Sequence, residues 1–189
     1  MGRIFLTSDL HFGHSKNFLW KPRGFTSSQE HDETIIHNWN SIITKNDDIY
    51  VLGDLMLENT EYGCACVEQL NGKLHLIRGN HDSDVRWARY QGLSNVVELC
   101  GWATVIRYRK FHFHLSHWST NTANYDDDNK GLRAKIISIS GLTHKKEKFH
   151  NEDPLKYNVA LDAHQNYPVL LDNIINDIKL SYVELDKTL

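Results

Sequence analysis

The chain has 189 residues, 40% of them hydrophobic and 24% charged, enough to pack a single domain and too apolar for wholesale disorder. A formal net charge of -3 excludes a general electrostatic grip on nucleic acid, while a local patch stays open. Three cysteines do not make a disulfide scaffold, and no apolar run approaches the ~18 residues of a membrane span or the core of a leader peptide, so a cytoplasmic protein with no membrane partner is expected.

Taken in chain order, residues 3–8 are an apolar run that predicts a buried strand, ending in the polar stretch Asp9-Leu10-His11-Phe12-Gly13-His14. Trp20, Lys21 and Arg23 lie in an irregular segment, where lining a substrate mouth and plain surface are equally open. Between Ser27 and Lys45, Ile35, Ile36, Trp39, Ile42 and Ile43 recur at helical spacing, with Ser27 or Ser28 as N-cap. This stripe predicts core packing and not a cofactor box. Residues 49–52 predict a second strand ending in Gly53-Asp54, 62–70 a helix closed by Asn71-Gly72, and 74–78 a third strand ending in Gly79-Asn80-His81-Asp82. A short helix follows over 83–91. The second half is strand-rich, with runs at 96–99, 104–108, 111–116 and 136–140, a turn at Arg109-Lys110, a polar loop over 118–133, and a final helix over 169–178. Alternation followed by strands predicts an α/β protein, a two-sheet sandwich flanked by helices, as one domain over 1–189.

One pattern repeats through these elements. A strand ends, a tight turn follows, and a carboxylate, carboxamide or histidine stands there: Asp9 and His11, Asp54, Asn80 and His81, His117, His144. Ligands gather at the carboxyl ends of strands because the connecting chains diverge there and leave a crevice. Mixed oxygen and nitrogen donors suit Mn²⁺, Fe or Zn²⁺ better than Ca²⁺. A pair of ions ~3.5–4 Å apart needs a bridging carboxylate, and Asp54 is its natural source. Singly, each residue is ordinary loop polarity; five strand ends so decorated are not. The twelve histidines of the chain point the same way.

Asp9-Leu10-His11, Gly53-Asp54, Gly79-Asn80-His81-Asp82, His117 and Gly141-Leu142-Thr143-His144 resemble, in order, the motif set of calcineurin-like metallophosphoesterases. Thr7-Ser8-Asp9-Leu10-His11-Phe12-Gly13-His14 and the tail Asn158-Val159-Ala160-Leu161-Asp162 resemble its short, compact members. The resemblance implies an αββα sandwich with a binuclear metal centre. It implies that Asp9, His11 and His144 bind a first ion, Asp54 bridges, and Asn80 and His117 bind a second. His81 acts near the leaving group, and Asn80 stands beside it as both ligand and catalytic residue. His14 and Arg78 are the substrate-binding candidates, with phosphate contact and a supporting or surface role both open. The implied cofactors are two divalent ions, Mn²⁺ first, with Fe, Ni²⁺ or Zn²⁺ also compatible. The implied reaction is attack of metal-activated hydroxide on a phosphate monoester or diester: a nucleotide, a cyclic nucleotide or a nucleic-acid end.

One position departs from the family pattern. Gly-His-x-His is replaced by Gly141-Leu142-Thr143-His144, which removes a ligand of the second ion and weakens that site. His164, His114 and His14 could substitute by residue type, although His164 reads first as surface. The alternative is a non-catalytic metal- or phosphate-binding protein on the same fold. The loop over 118–133 follows His117 and is expected to rim the site, with Asn121, Asn124, Lys130 and Arg133 selecting the substrate. Asp162 reads as a turn carboxylate or as a group orienting a ligand. Asp126-Asp127-Asp128-Asn129-Lys130-Gly131 is not a calcium loop, because the fifth position is Lys130 and the twelfth is Ile137. Cys64-Ala65-Cys66 lacks the partner pair of a zinc site.

Overall fold

The structure, a computed structural model, describes residues 2–122 and 131–186. The first half alternates β1 (Ile4–Thr7), α1 (Asn17–Trp20), α2 (Ser28–Ile42), β2 (Asp48–Leu52), α3 (Thr60–Val67), β3 (Lys73–Ile77), α4 (Asp84–Tyr90) and β4 (Val96–Leu99). The second half runs β5 (Ala103–Tyr108), β6 (Phe111–Ser116), β7 (Ile136–Ser140), β8 (Lys156–Asn158), β9 (Val169–Leu170) and α5 (Leu171–Asp186). One sheet has the order β4-β3-β2-β1-β9, parallel except for β9, and the other has the order β5-β6-β7-β8. The expected two-sheet α/β arrangement is present.

Strand periodicity divides the first sheet between two cores. Phe5, Ile49, Val51, Leu74 and Leu76 face α2 and α3, where they meet Ile35, Trp39, Cys66 and Val67. Their neighbours Leu6, Leu52 and Ile77 point the other way, onto Phe113, Leu115, Ile137 and Ile139 of the second sheet and onto Ile174 and Ile178 of α5. Helix α2 starts where Ser27 accepts from the Glu30 amide at 3.1 Å. It is held by the fully buried Ile35 and Trp39, each burial stabilising by about 1.5–3 kcal/mol. Strands β5 and β6 join through Arg109 and Lys110, both at positive φ (47° and 71°), the backbone twist that a two-residue hairpin requires.

The carboxyl-terminal boundary differs from expectation. Val169 and Leu170 do not begin the last helix; they pair antiparallel with Leu6 and Phe5 and close the sheet edge, so the helix starts at Leu171 and continues to Asp186. Pro168 restrains the residue before it to extended backbone and lacks the amide a continuing helix needs, which favours an edge strand here. Among the described residues, no helix is long and apolar enough to cross a membrane.

Candidate metal centre

Five strand ends supply the site. Asp9 and His11 follow β1, Asp54 follows β2, Asn80 and His81 follow β3, His117 follows β6, and His144 follows β7. Backbone bonds lock the turns to each other: Asp9 N to Gly53 O (3.1 Å), His11 N to Asp54 O (3.0 Å) and Gly141 N to His117 O (3.1 Å). Asp9, His11, Asp54, Leu142 and His144 all take positive φ, between 48° and 71°. Each such residue costs about 1–3 kcal/mol and persists only where its surroundings over-determine it, as at functional sites. Glycine is required at two points of close approach, since a Cβ at Gly79 would fall on Asp54 Oδ1 and one at Gly141 on Ser8 Oγ and Asp9 Oδ2.

The donor atoms converge. Asp9 Oδ2 accepts from Ser8 Oγ (2.5 Å) and from the Leu142 amide (3.0 Å). Asp9 Oδ1 is buried with no hydrogen-bond partner among the described residues and lies 3.7 Å from both His11 Nε2 and His144 Nε2, which are themselves 3.3 Å apart. Asp54 Oδ2 lies 3.7 Å from His11 Nε2, 3.6 Å from His117 Nε2 and 3.9 Å from His81 Nε2. Two groups of potential metal ligands result, Asp9 with His11 and His144, and Asp9 with Asp54 and His117, the atoms of each within 4.8 Å of one another. Asp9 thus belongs to both, and Asp54 Oδ2 lies within reach of a nitrogen from each.

These residues fit a cation. A buried carboxylate oxygen without a donor is costly, and Asp9 Oδ1 is such an atom. His117 Nδ1 lies 2.8 Å from Leu52 O, and because a carbonyl only accepts, Nδ1 carries the proton and Nε2 presents a lone pair. Asn80 Oδ1, another acceptor, stands 2.9 Å from that Nε2. Two acceptors aimed at one point are reconciled by a positive charge. His144 is oriented similarly, its Nδ1 donating to Asp162 Oδ2 at 3.1 Å, which turns Nε2 toward Asp9.

Electrostatics follow from this packing. Burial pushes the Asp9 carboxyl up, but the neighbouring imidazoles, His11 first and then His144 and His117, outweigh it and hold it at about 2. Burial raises Asp54 above the usual carboxylate range, against the pull of His117 and His11. Burial lowers His11 despite Asp9. Burial also acts to lower His144, yet the bond to Asp162 and the charge of Asp9 leave it raised.

The remaining sequence candidates fall in several places. His81 is 47% exposed at the rim, its amide donating to Asp54 Oδ1 at 2.9 Å. His14 is buried beside His11, ring centroids 6.1 Å apart, with Nδ1 3.3 Å from Glu58 Oε1. Arg78 donates to Asp82 O (2.7 Å) and pairs with Asp84, so its guanidinium braces the Gly-Asn-His-Asp turn. His164 bonds Asn158 O at 2.8 Å and stacks on Tyr157. His114 lies on β6, and neither it, His14 nor His164 joins a ligand group among the described residues. Leu142 contributes its amide to Asp9. Of the expected loop residues, Asn124, Lys130 and the Asp126–Asp128 run lie outside the described residues; Asn121 is exposed and Arg133 sits in a short 3₁₀ turn.

Two supports lacked a sequence signal strong enough to assign. Arg23, only 1% exposed, donates Nε and Nη2 to Asp162 (3.1 and 2.8 Å), Nη2 to Asp9 O (2.9 Å), and has Nη1 2.9 Å from His31 Nε2. Asp82 accepts from the amides of Asp54 (2.9 Å), Gly79 (2.8 Å) and Leu55 (3.3 Å) and from Tyr90 Oη (2.8 Å). The available hint for Asp82 was its place directly after Asn80-His81. Arg23 and Asp162 are 139 positions apart, and nothing local connects them.

The chain is similar to known proteins over most of its length. The family model described as calcineurin-like phosphoesterase matches residues 2–183. An uncharacterised protein of Methanocaldococcus jannaschii is 31% identical over 187 residues, covering 95% of this chain and 93% of that protein. The gene 66 protein of Mycobacterium phage L5 is 34% identical over 86 residues, 43% of this chain and 41% of its own. A protein of unknown function from Aquifex aeolicus shares the fold with a TM-score of 0.70 at 19% identity, over 93% of this chain and 99% of the other.

Proposed function

The chain belongs to the calcineurin-like phosphoesterase family, and from that premise we propose that it hydrolyses a phosphate monoester or diester of a nucleotide, a cyclic nucleotide or a nucleic-acid end at a two-ion centre, Mn²⁺ first among the candidates. Family membership supports metal-dependent phosphoester hydrolysis as the general activity. The reading treats residues 1–189 as one domain working in the cytoplasm, in keeping with cysteines 64, 66 and 100 all free.

In this reading Asp9, His11 and His144 would hold one ion, and Asp54, Asn80 and His117 the other, with Asp54 shared. Bound there, the ions would supply Lewis acidity to activate water and to neutralise charge building on the phosphoryl oxygens. Asp162 keeps His144 in the tautomer that frees Nε2, and Leu52 O does the same for His117. His81, exposed at the rim, would give a proton from Nε2 to the departing oxygen. His14, beside His11, is the remaining candidate for a phosphate oxygen.

The observation that carries this reading is Asp9 Oδ1, a buried carboxylate oxygen with no donor among the described residues, faced by two imidazole nitrogens at 3.7 Å. The test titrates chelator-stripped protein with Mn²⁺ by calorimetry and assays 4-nitrophenyl phosphate and bis(4-nitrophenyl) phosphate. Two equivalents bound, turnover of either ester and loss of both with Asp9→Asn are expected. Protein that binds no Mn²⁺ and cleaves neither ester overturns it. Leu142 favours a second reading, a binding protein retaining the fold and one ion. Leu142→His separates the two, because gained affinity for a second equivalent without turnover in either form supports the binder.

A further inference from the structure

An exposed aromatic cluster adjoins the candidate centre and takes no part in the chemistry above. Trp118 directly follows His117, and its ring stands edge-on to that imidazole, centroids 5.1 Å apart at 85°. Trp102 lies against Trp118, centroids 5.7 Å apart and tilted by 42°. Both are open to solvent, Trp102 by 55% and Trp118 by 37%. The Arg78 guanidinium sits 4.7 Å from the Trp102 centroid and 5.9 Å from that of Trp87.

Two tethers fix this cluster relative to the donor atoms. The Arg78 amide donates to Gly101 O at 2.7 Å, so the turn bearing Trp102 is tied to the end of β3, two residues before Asn80. Ser116 Oγ donates to Trp118 O at 2.7 Å and fixes the turn after β6. The rings are therefore held by the turns that present Asn80 and His117. A lone exposed apolar residue is unremarkable, whereas two contacting tryptophans, one of them with a cation over its ring, form a surface of defined chemistry.

We propose that Trp102 and Trp118, braced by Arg78, form a stacking platform for the nucleobase of the substrate, which assigns the residues that would hold the base in the reading above and rests on that reading. A flat, polarisable ring is what exposed tryptophan faces bind best, and base-on-aromatic stacking tolerates any base because each has a π-face. With a net charge of -3 and Arg78 already paired with Asp84, the platform suits one nucleotide or a short single strand and not a long polyanion.

The test compares two diesters with one leaving group, thymidine 5′-(4-nitrophenyl phosphate) and methyl 4-nitrophenyl phosphate, on Mn²⁺-loaded protein. The expected result is a kcat/KM at least about tenfold higher for the nucleoside ester, carried mainly by KM, equivalent to about 1.4 kcal/mol. Trp102→Ala brings the ratio toward one, and Trp102→Tyr restores part of it, which loss of fold would not allow. A wild-type ratio near one, or a ratio that survives both Trp102→Ala and Trp118→Ala, overturns the platform while leaving phosphoester hydrolysis standing. If neither ester is cleaved, the parent reading falls and calorimetry decides the platform: thymidine 5′-monophosphate must bind about tenfold more tightly than ribose 5-phosphate, with the difference lost in Trp102→Ala. Equal binding of the two overturns it.

Discussion

Asp162→Asn tests how the centre is held. Asp162 is 10% exposed, and its partner Arg23 is 1% exposed. Its two oxygens accept from Arg23 Nε and Nη2 and from His144 Nδ1, at 3.1, 2.8 and 3.1 Å. Asparagine keeps the volume but offers one acceptor oxygen; because Oδ1 accepts from Arg23 Nε and Oδ2 from both Arg23 Nη2 and His144 Nδ1, its amide group meets the guanidinium, donor against donor, in either orientation. The Arg23 charge then stays buried without its counter-charge. Breaking a buried pair in this way costs about 3–5 kcal/mol, which for a chain of this length corresponds to a melting temperature lower by about 6–20 °C. His144 also exchanges its carboxylate partner for a neutral amide oxygen or loses it, and such a change in a ligand's support weakens metal binding by about 10–100-fold. Differential scanning calorimetry in chelator reads the first effect. Isothermal titration with Mn²⁺, at a temperature where both proteins are folded, reads the second. A variant that melts earlier but binds Mn²⁺ within twofold of wild type refutes the orienting role of Asp162 and leaves only a structural one.

Gly141→Ala places a Cβ on Ser8 Oγ and Asp9 Oδ2, so the urea midpoint should fall by the equivalent of about 1–3 kcal/mol together with Mn²⁺ affinity; an unchanged midpoint means the turn can shift freely. Tyr90→Phe removes the 2.8 Å bond to the buried Asp82 carboxylate, and urea unfolding should show a loss of about 1.5–3 kcal/mol; no loss would mean the three backbone amides suffice. Burial lowers the pKa of His31, His150 and His164. The unfolded chain therefore binds more protons as pH falls through ~6.5, and stability drops with falling pH by up to about 1.4 kcal/mol per unit for each histidine. His144, shifted upward, contributes one proton of opposite slope. Urea unfolding of metal-free protein between pH 8 and 5.5 should show the net decline, and His150→Gln with His164→Gln should flatten it; equal stability at both ends would contradict the assignment.

Much of the fold could be read from the chain because period-two and helical patterns report burial locally. Phe5 and Leu6 alternate between two cores as the strand pattern requires, and Ile35 and Trp39 lie on the buried face of their helix. The last helix began later than expected because the antiparallel pairing of Val169 and Leu170 with β1 is a long-range bond that no local pattern contains. The motif order pointed to candidate ligands through the family it resembles, since each stands within four residues of a strand end. What the chain could not show is how strand ends far apart in sequence converge. That convergence leaves Asp9 Oδ1 without a donor, sets Arg23 against Asp162 across 139 positions, and brings Trp102 beside Trp118. Burial of single residues is written in local periodicity. The pairing of buried charges and the aim of lone pairs exist only once separate turns share one space, and so the tertiary structure decided them.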